Sequence, residues 1–446
     1  MKKLRAWTLA GLILAFPFAL VSFEDTYFHD DVLKFSQWGV AHNLSSTRDL
    51  YRVCGTCNYP IAGVLSSGGV IARLQALEPS APPRAIHMRF RYYLAGVDAA
   101  MGLATVLLLV LAGIAAPLAV GTAIFMLPSS WAGTAIWGQI EGVTQLLLLL
   151  SAAGLIALLR ETDARSQVRS GIRRHQAPLL LWAAGLCAVA ALFMKQLALF
   201  SMPALALLWL LGAARLWRAG HRAGVLAAGA LVLILLLRVD FYFNLPGDWN
   251  SHLSYILFGG GSDHGHKIGG NGFNLWVLLG RPQSASSDVA FLGPLTPRYT
   301  GLALFLIWNA CAYLAFTYRL FGAWNGGWSE TKQDARGAGI LLLLLMGLSH
   351  LAFNVFMPGT HERHLYHFFP FAIVALVYYY RNGSAPAWLV GWVGIMGIVY
   401  GLFVFLVLHG RQIFPLSSPV FLAVLHAALL VYLTVFYSRR LKETFG

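Results

Sequence analysis

The stretches LLLLLSAAGLIALL at residues 146–159 and LLLLLMGLSHLAFNVF at residues 341–356 decide the fold class. Both are continuous apolar runs, without the alternation of apolar and polar residues that a membrane β-barrel strand requires. Hydrocarbon offers no water to satisfy backbone groups, so a chain that crosses it must form helices or a closed barrel. The runs therefore predict an all-α protein that crosses a membrane several times.

The composition of the whole chain indicates the same class. Hydrophobic residues make up 58% of the 446 residues and charged residues only 11%, whereas about 25% of a soluble globular chain is charged. The formal net charge of +14 raises the question of nucleic-acid binding. The basic residues instead lie in short clusters between apolar runs, which is a topology signal of membrane proteins, so no nucleic-acid partner is expected.

Twelve apolar segments approach the ~20 residues that one crossing needs. They cover residues 7–23, 91–112, 116–136, 140–160, 177–194, 197–214, 223–243, 299–320, 338–357, 365–380, 386–408 and 417–437. The first is interpreted as an uncleaved helix. The basic clusters before the first span and after the fourth, sixth, eighth and last all fall on one side. The positive-inside rule therefore places both termini in the cytoplasm.

Two long loops then lie on the non-cytoplasmic face of a single domain, residues 1–446. The first, residues 24–90, contains weakly amphipathic pieces that predict short helices at the membrane surface. The second, residues 244–298, is rich in Gly, Asn, Asp, His and Ser and predicts a flexible or folding-on-binding segment. In the first loop, Cys54 and Cys57 form a CxxC, which leaves open a local disulfide, two free thiols, a redox centre and half of a zinc site.

Polar residues that could carry chemistry lie where the spans meet this outer face. Asp30 and Asp31 are adjacent carboxylates just after the first span, and their mutual repulsion could suit one of them to proton transfer. Glu141 stands at the outer start of the fourth span. Lys195 lies between the fifth and sixth spans, where it could bind a phosphate as a point charge. The structural alternatives are a solvated acidic loop for the aspartates and an interfacial position for Glu141 and Lys195.

The densest polar segment is MPGTHERHLYHFFP at residues 357–370. Charges at a membrane boundary are costly unless they are paired or used. Arg363 could grip a phosphate through its planar guanidinium, and His361 could donate a hydrogen bond to the same group. A charged turn between two helices is the structural alternative. The order H-E-R-H does not match the HExxH pattern of zinc peptidases.

Five segments, taken in order, resemble the GT-C superfamily of polytopic glycosyltransferases, most closely its bacterial polyprenyl-phosphate-sugar-dependent and GPI-mannosyltransferase-like members. The segments are DDVLKFSQWGVAHNLSSTRDLY at 30–51 with NYP at 58–60, WGQIEGVTQLLLLL at 137–150, MKQLALFSMP at 194–203, NGFNLWVLLG at 271–280 and FMPGTHERHLYHFFP at 356–370. The chain departs from the superfamily pattern at Ile61, where relatives often carry a second proline, and in its DD pair, where some carry D-x-D or E-x-D.

The resemblance implies a GT-C-type fold with about twelve transmembrane helices. It also implies an inverting reaction that moves a sugar, with a hexose such as mannose favoured, from a polyprenyl-phosphate donor to a lipid, glycan or protein acceptor. Asp31 would be the base for the acceptor hydroxyl, with Asp30 second. Arg363, His361 and Lys195 would bind the donor phosphate. The other residues expected to bind substrate are Glu362, Gln139, Glu141, Tyr59, Asn274 and Trp276.

The resemblance also bears on cofactors and location. No cofactor is expected to be required, and no metal site is predicted. Asp30, Asp31 and Glu141 could nevertheless hold a divalent cation if they converge. The site would face the periplasm or the extracellular space from a bacterial inner or plasma membrane.

Two other classes of polytopic protein are alternatives. A transporter or lipid-linked-sugar flippase would show polar residues in mid-span and duplicated halves. The spans are interpreted here as nearly free of charge apart from Arg238 and Asp240, and no duplication is visible. An O-antigen ligase or polymerase would use a diphosphate-linked donor and would lack the acidic first loop.

Overall fold

Helices make up nearly all of the regular structure in the computed structural model, which describes residues 2–23, 29–54, 57–161, 176–259, 266–270, 272–325 and 335–445. In chain order the α-helices are α1 Lys2–Phe23, α2 His29–Leu44, α3 Leu50–Val53, α4 Ile61–Val64, α5 Val70–Leu77, α6 Pro83–Leu111, α7 Pro117–Phe125, α8 Glu141–Glu161, α9 Ala177–Met194, α10 Met202–Arg218, α11 Arg222–Asp240, α12 His252–Ser254, α13 Leu275–Leu278, α14 Pro297–Asn325, α15 Ala335–Phe356, α16 Phe368–Arg381, α17 Ala387–Leu408 and α18 Pro419–Phe445.

Ten helical segments among the described residues are long and apolar enough to cross a membrane. They are α1, α6, α8, α9, α10 with the 3-10 turn before it, α11, α14, α15, α17 and α18. The predicted class, an all-α multi-pass membrane protein, is thereby confirmed.

Two of the twelve predicted spans are not continuous helices of membrane length. Residues 116–136 fold as α7, a 3-10 turn Pro128–Ser130 and a π-helical turn Ala132–Ile136. Pro117 and Pro128 each begin one of these pieces, because proline lacks the amide hydrogen that a helix interior uses but fits the first turn. The prediction at 365–380 falls mostly on α16, whose 14 residues are only about 21 Å long.

Burial explains why the chain tolerates these short pieces. Nearly all side chains of α15 and α16 are buried, whereas α1, α11 and α14 expose most of theirs. Between its two terminal arginines, the exposed residues of α11 are apolar, and they include Leu226, Leu231, Leu233 and Ile234. Irregular or short backbone is tolerated at membrane depth only where protein surrounds it. Central α16 meets that condition, and the peripheral helices present apolar surface that suits lipid.

One end of the bundle carries arginine side chains between helices. Arg160 donates a hydrogen bond to the Val110 carbonyl at 3.2 Å, and the Arg336 guanidinium lies beside Gly113. The broken segment that follows Gly113 reaches the other end of the bundle, where Gln139 contacts the first long loop. Its two ends therefore lie at opposite ends of the bundle.

The two long loops meet at that other end. The Asn244 amide donates to the Arg48 carbonyl at 2.8 Å, and Asn244 Nδ2 donates to Asp49 Oδ1 at 2.6 Å. The second loop also forms the strand β1, Gly269–Gly270, which pairs in parallel with β2, Thr360–His361. The second loop therefore contacts both the first loop and the segment that contains β2.

The two long loops contain different kinds of local structure. In the first loop, α2 is amphipathic, because it buries Phe35 and Trp38 and exposes Lys34 and Gln37. In the second loop, residues 266–270 include β1 and residues 272–280 include α13. Residues 260–265 and 271 of the stretch predicted to be flexible lie outside the described residues.

Candidate functional site

Three charged side chains from distant parts of the chain converge at the end of the bundle where the loops meet. Glu141 begins α8, Lys195 lies between α9 and the 3-10 turn Gln196–Ser201, and Arg363 lies in the 3-10 turn Glu362–Leu365. Lys195 Nζ forms an ion pair with Glu141 Oε1, and Arg363 Nε is 3.7 Å from the same oxygen. Glu141 is fully buried, Lys195 is 3% exposed and Arg363 is 17% exposed. We call these three residues the charged cluster.

The local backbone fixes where Glu141 and Lys195 stand. Gly138 has a φ of 86°, a left-handed conformation that favours glycine and lets the chain turn between the π-helical segment and α8. A carboxylate at a helix N-terminus, such as Glu141, is also favoured by the helix dipole. At the end of α9, the Lys195 amide still donates to the Ala191 carbonyl at 3.2 Å, so this side chain projects from the last turn of the helix.

The first long loop adds Tyr59 to the cluster. Its hydroxyl accepts a hydrogen bond from Lys195 Nζ at 3.3 Å and donates one to Gln139 Oε1 at 3.2 Å. The ammonium also lies 4.8 Å from the centroid of the Tyr59 ring, within the range of a cation–π interaction. Five residues singled out from the sequence, Tyr59, Gln139, Glu141, Lys195 and Arg363, are therefore neighbours.

A disulfide supports the loop that carries Tyr59. Cys54 and Cys57 are joined by a disulfide, which was one of the alternatives that their spacing left open. Both cysteines are buried. Beside them, the Tyr51 hydroxyl donates to the Tyr59 carbonyl at 2.9 Å. The covalent bridge and this hydrogen bond together hold the backbone at Tyr59.

The charged cluster contains two cations and one anion in a region with little water. A buried ion pair is stable only when the remaining hydrogen-bonding capacity is satisfied. Among the described residues, Glu141 Oε2 has no hydrogen-bond partner, so this oxygen can still accept a hydrogen bond from a donor group on a ligand. Guanidinium and ammonium groups both donate to phosphate oxygens, and Arg363 is partly exposed. The arrangement therefore suits an anion that approaches from the side of Arg363.

His364 is neutral beside this cluster. Burial lowers its pKa well below the usual value, and the charges of His361, Arg363 and Lys195 lower it further. A neutral ring agrees with the geometry, because His364 Nδ1 accepts a hydrogen bond from the His361 amide at 3.1 Å. The contact of His361 with a donor phosphate stays a prediction, and the Glu362 side chain lies outside the described part of the structure.

Asn274 and Trp276 support the backbone next to β2. Asn274 Nδ2 donates to the Ile268 carbonyl at 2.8 Å and to Thr360 Oγ1 at 3.2 Å. Trp276 Nε1 donates to the Phe356 carbonyl at 2.8 Å. These bonds hold the segment that leads to Arg363, and substrate contact by the two residues stays a prediction.

Asp30 and Asp31 lie in the first turn of α2, but their side chains fall outside the described part. The helix itself connects to the cluster. Phe35, four residues after Asp31, packs its ring 6.2 Å from the ring of Tyr59, and one helical turn of four residues spans about 6 Å. The Asp31 backbone is therefore one turn from a residue that contacts Tyr59.

The prediction that the spans are nearly free of charge was wrong for α6. Arg91 and Asp98 both lie in this helix and are fully buried. Thr134 Oγ1 donates to the Asp98 carboxylate, the Ala135 amide donates to Asp98 Oδ2 at 3.2 Å, and Arg91 Nε donates to the Ala135 carbonyl at 2.9 Å. Charged residues inside the apolar sequence 91–112 were the signal that could have found them.

A second buried polar chain, also missed from the sequence, runs inward from the cluster. His367 Nδ1 donates to Gln145 Oε1 at 2.7 Å. Its ring centroid is 5.0 Å from that of His350, whose Nε2 is 2.9 Å from Ser201 Oγ. Gln145 and His367 each follow a member of the charged cluster by four residues. They therefore form a neutral contact one turn deeper than Glu141 and Arg363.

No protein-family model, characterised protein or solved structure matches this chain. Within the described residues, no group of three or more His, Cys, Asp or Glu side chains could hold a metal ion. The side chains of Asp30 and Asp31 do not belong to that set, so the role of a divalent cation stays a matter for experiment.

Proposed function

We propose that this protein is an inverting membrane glycosyltransferase of GT-C type. It transfers a sugar, with a hexose such as mannose favoured, from a polyprenyl-phosphate donor to a lipid, glycan or protein acceptor. The observation that carries the proposal is the charged cluster. Lys195 and Arg363 share one buried carboxylate, Glu141, at the end of the bundle where the loops meet. The ordered resemblance of the five sequence segments supports the same class.

In the proposed reaction, the acceptor oxygen bonds to the anomeric carbon as the bond between that carbon and the phosphate oxygen breaks. The hydroxyl proton passes to a base, and polyprenyl monophosphate leaves with the negative charge. Arg363 and Lys195, assisted by His361, hold that phosphate and stabilise its growing charge. Glu141 and Tyr59 hold the Lys195 ammonium in place. Asp31 is the proposed base and Asp30 the second candidate.

We further propose twelve crossings, with both termini cytoplasmic and the site on the periplasmic or extracellular face of a bacterial inner or plasma membrane. The broken segment between Gly113 and Gln139 supports this count, because its ends lie at opposite ends of the bundle. The Cys54–Cys57 disulfide supports the orientation, since disulfides persist in oxidising, non-cytosolic compartments.

A transporter or flippase is the second candidate function. The buried Asp98 and Arg91 in α6 favour it, because charged residues within spans often mark the path of a substrate or ion. Their hydrogen bonds go to Thr134 and Ala135, a few residues before the charged cluster. The glycosyltransferase proposal therefore accounts for them as well.

The direct test is to incubate the purified protein with a panel of polyprenyl-phosphate sugars and measure polyprenyl phosphate release. One donor should support release, and diphosphate-linked sugars should not. Release from none of the monophosphate donors would contradict the proposal, as would uptake into vesicles without any transfer product. Release of polyprenyl diphosphate from diphosphate-linked donors alone would favour a ligase.

The base is tested by Asp31→Asn, which should lower transfer by about 10²–10⁴-fold while binding of polyprenyl monophosphate persists. Glu78→Gln is the matched control, since Glu78 is a half-exposed carboxylate of the same loop that pairs with Arg89. If Asp31→Asn and Asp30→Asn both transfer normally, the proposed base is wrong.

A further inference from the structure

The buried carboxylate of Asp98 contacts the chain on both sides of residues 137–141, the segment that carries Gln139 and Glu141. On the N-terminal side, it accepts hydrogen bonds from the Thr134 hydroxyl and the Ala135 amide. On the C-terminal side, Gly142 packs against it, and a Cβ at Gly142 would lie 3.0 Å from Asp98 Oδ1. A single side chain of α6 thus contacts both ends of this short segment and forms hydrogen bonds at its N-terminal end.

Arg91 supplies a second attachment from the same face of α6. It lies seven residues before Asp98, two helical turns away, and its Nε donates to the Ala135 carbonyl at 2.9 Å. Both polar groups of Ala135 are therefore bound by side chains of α6. Within the π-helical turn itself, the Ile136 amide lies 3.5 Å from the Trp131 carbonyl, a long and weak hydrogen bond.

Charged side chains buried in a membrane helix are costly unless they are put to use. Arg91 and Asp98 are both fully buried, and their bonds go to the backbone of one irregular turn and to its threonine. The side chains of α6 bind both polar groups of Ala135 and so add attachments to the backbone hydrogen bonds of the turn, such as that from the Trp137 amide to the Ala132 carbonyl at 3.1 Å. Gln139 and Glu141 follow the turn directly, so the position of the turn determines where these two residues lie.

We propose that Asp98 and Arg91 are positioning residues that clamp the turn Ala132–Ile136 to α6 and thereby place Gln139 and Glu141 in the anion-binding site. The clamp is a structural claim in its own right, and only the identity of the anion rests on the proposed function. Because Asp98 touches Thr134 and Gly142 rather than the charged cluster, it acts on the ligand through the segment between them.

A pair of isosteric substitutions separates this role from general packing. Thr134→Val removes the hydroxyl that binds Asp98, whereas Thr105→Val removes another buried hydroxyl of α6 that bonds only to the Met101 carbonyl in its own helix. Amide hydrogen exchange of peptides covering residues 131–142 is followed by mass spectrometry, together with binding of polyprenyl monophosphate. Thr134→Ser keeps the hydroxyl and serves as the rescue variant.

Thr134→Val should speed exchange in this segment by about tenfold or more, since a hydrogen bond to a buried carboxyl group is lost. It should also weaken polyprenyl monophosphate binding, and Thr134→Ser and Thr105→Val should do neither. Unchanged exchange in Thr134→Val, or equal effects of Thr105→Val, would overturn the clamp. If the segment loosens but the wild-type protein binds no polyprenyl monophosphate, the clamp stands and the proposed function fails. If Thr134→Val does not fold, Asp98→Leu, which keeps the branched shape but has no acceptor, is measured in its place with the same expectation.

Discussion

Replacing Lys195 by methionine should destabilise the protein far more than the same change at an exposed lysine. Lys195 is 3% exposed, and its partner Glu141 is fully buried. Removing one member of a buried ion pair typically costs about 3–5 kcal/mol, because the other charge is left buried and uncompensated. Arg363 Nε remains 3.7 Å from Glu141 Oε1, so we expect the lower end of this range, about 3 kcal/mol.

The double variant Lys195→Met/Glu141→Gln should recover most of that stability. It leaves no buried charge without a counterion, and replacing both members of a buried pair is often close to neutral. Arg363 is 17% exposed and can turn its guanidinium toward water. The two single changes and the double change therefore form a cycle whose coupling free energy is expected at the upper end of the usual range, about 3 kcal/mol.

The assay is unfolding of the purified protein in detergent, with Lys442→Met as the control because Lys442 is exposed near the end of α18. Binding of polyprenyl monophosphate is measured in parallel and should fall in both the single and the double variant, since the ammonium is missing from both. The reasoning is refuted if Lys195→Met unfolds like Lys442→Met, or if the effects of the two single changes simply add.

Two further predictions concern the two long loops, one for each. Burial lowers the pKa of His252 from 6.5 to about 4, so the unfolded chain binds the proton before the folded protein does. The contribution of His252 to stability is therefore complete above pH 6.5 and decreases by about 3 kcal/mol as the pH falls to 4. His252→Phe keeps the packing against Tyr51 and should flatten the dependence of the unfolding midpoint between pH 7 and pH 4.5, and an unchanged slope would count against it. The Cβ added by Gly63→Ala would overlap the Met194 carbonyl, so this change should lower the unfolding free energy by about 1–3 kcal/mol. Gly69→Ala is the control and should be nearly neutral, because the nearest neighbour of its Cβ would be 3.7 Å away. Equal losses in the two variants would contradict the argument.

The sequence was sufficient for the membrane class and for ten of the twelve apolar segments, because long apolar runs have one stable form in hydrocarbon. It was not sufficient for residues 116–136 and 365–380. The sequence of an apolar run has the same hydrophobic pattern whether the segment faces lipid or is buried among other helices. Pro117 and Pro128 marked the breaks in the first of these segments. The second is distinguished only by its burial in the centre of the bundle, which is a tertiary property.

The candidate site, too, was predictable from the sequence only in part. The polar motifs at span ends identified Glu141, Lys195 and Arg363, and the order of the segments implied that they share a face. Asp98 was missed because one carboxylate barely changes the apolar character of a long helix segment. Its function becomes visible only when its partners, Thr134 and Ala135, are known.

The balance of charge at the site distinguishes among the donors that the polytopic enzyme classes use. Lys195 and Arg363 share the single negative charge of Glu141, which leaves the cluster with one positive charge in excess. His364 adds none, because burial and its cationic neighbours keep its pKa well below the usual value. A sugar linked through a monophosphate diester carries one negative charge and balances the cluster, whereas a diphosphate-linked sugar carries two. An unbalanced charge in a buried site is costly, so the charges of these three residues support the proposed monophosphate donor, which the donor panel tests directly.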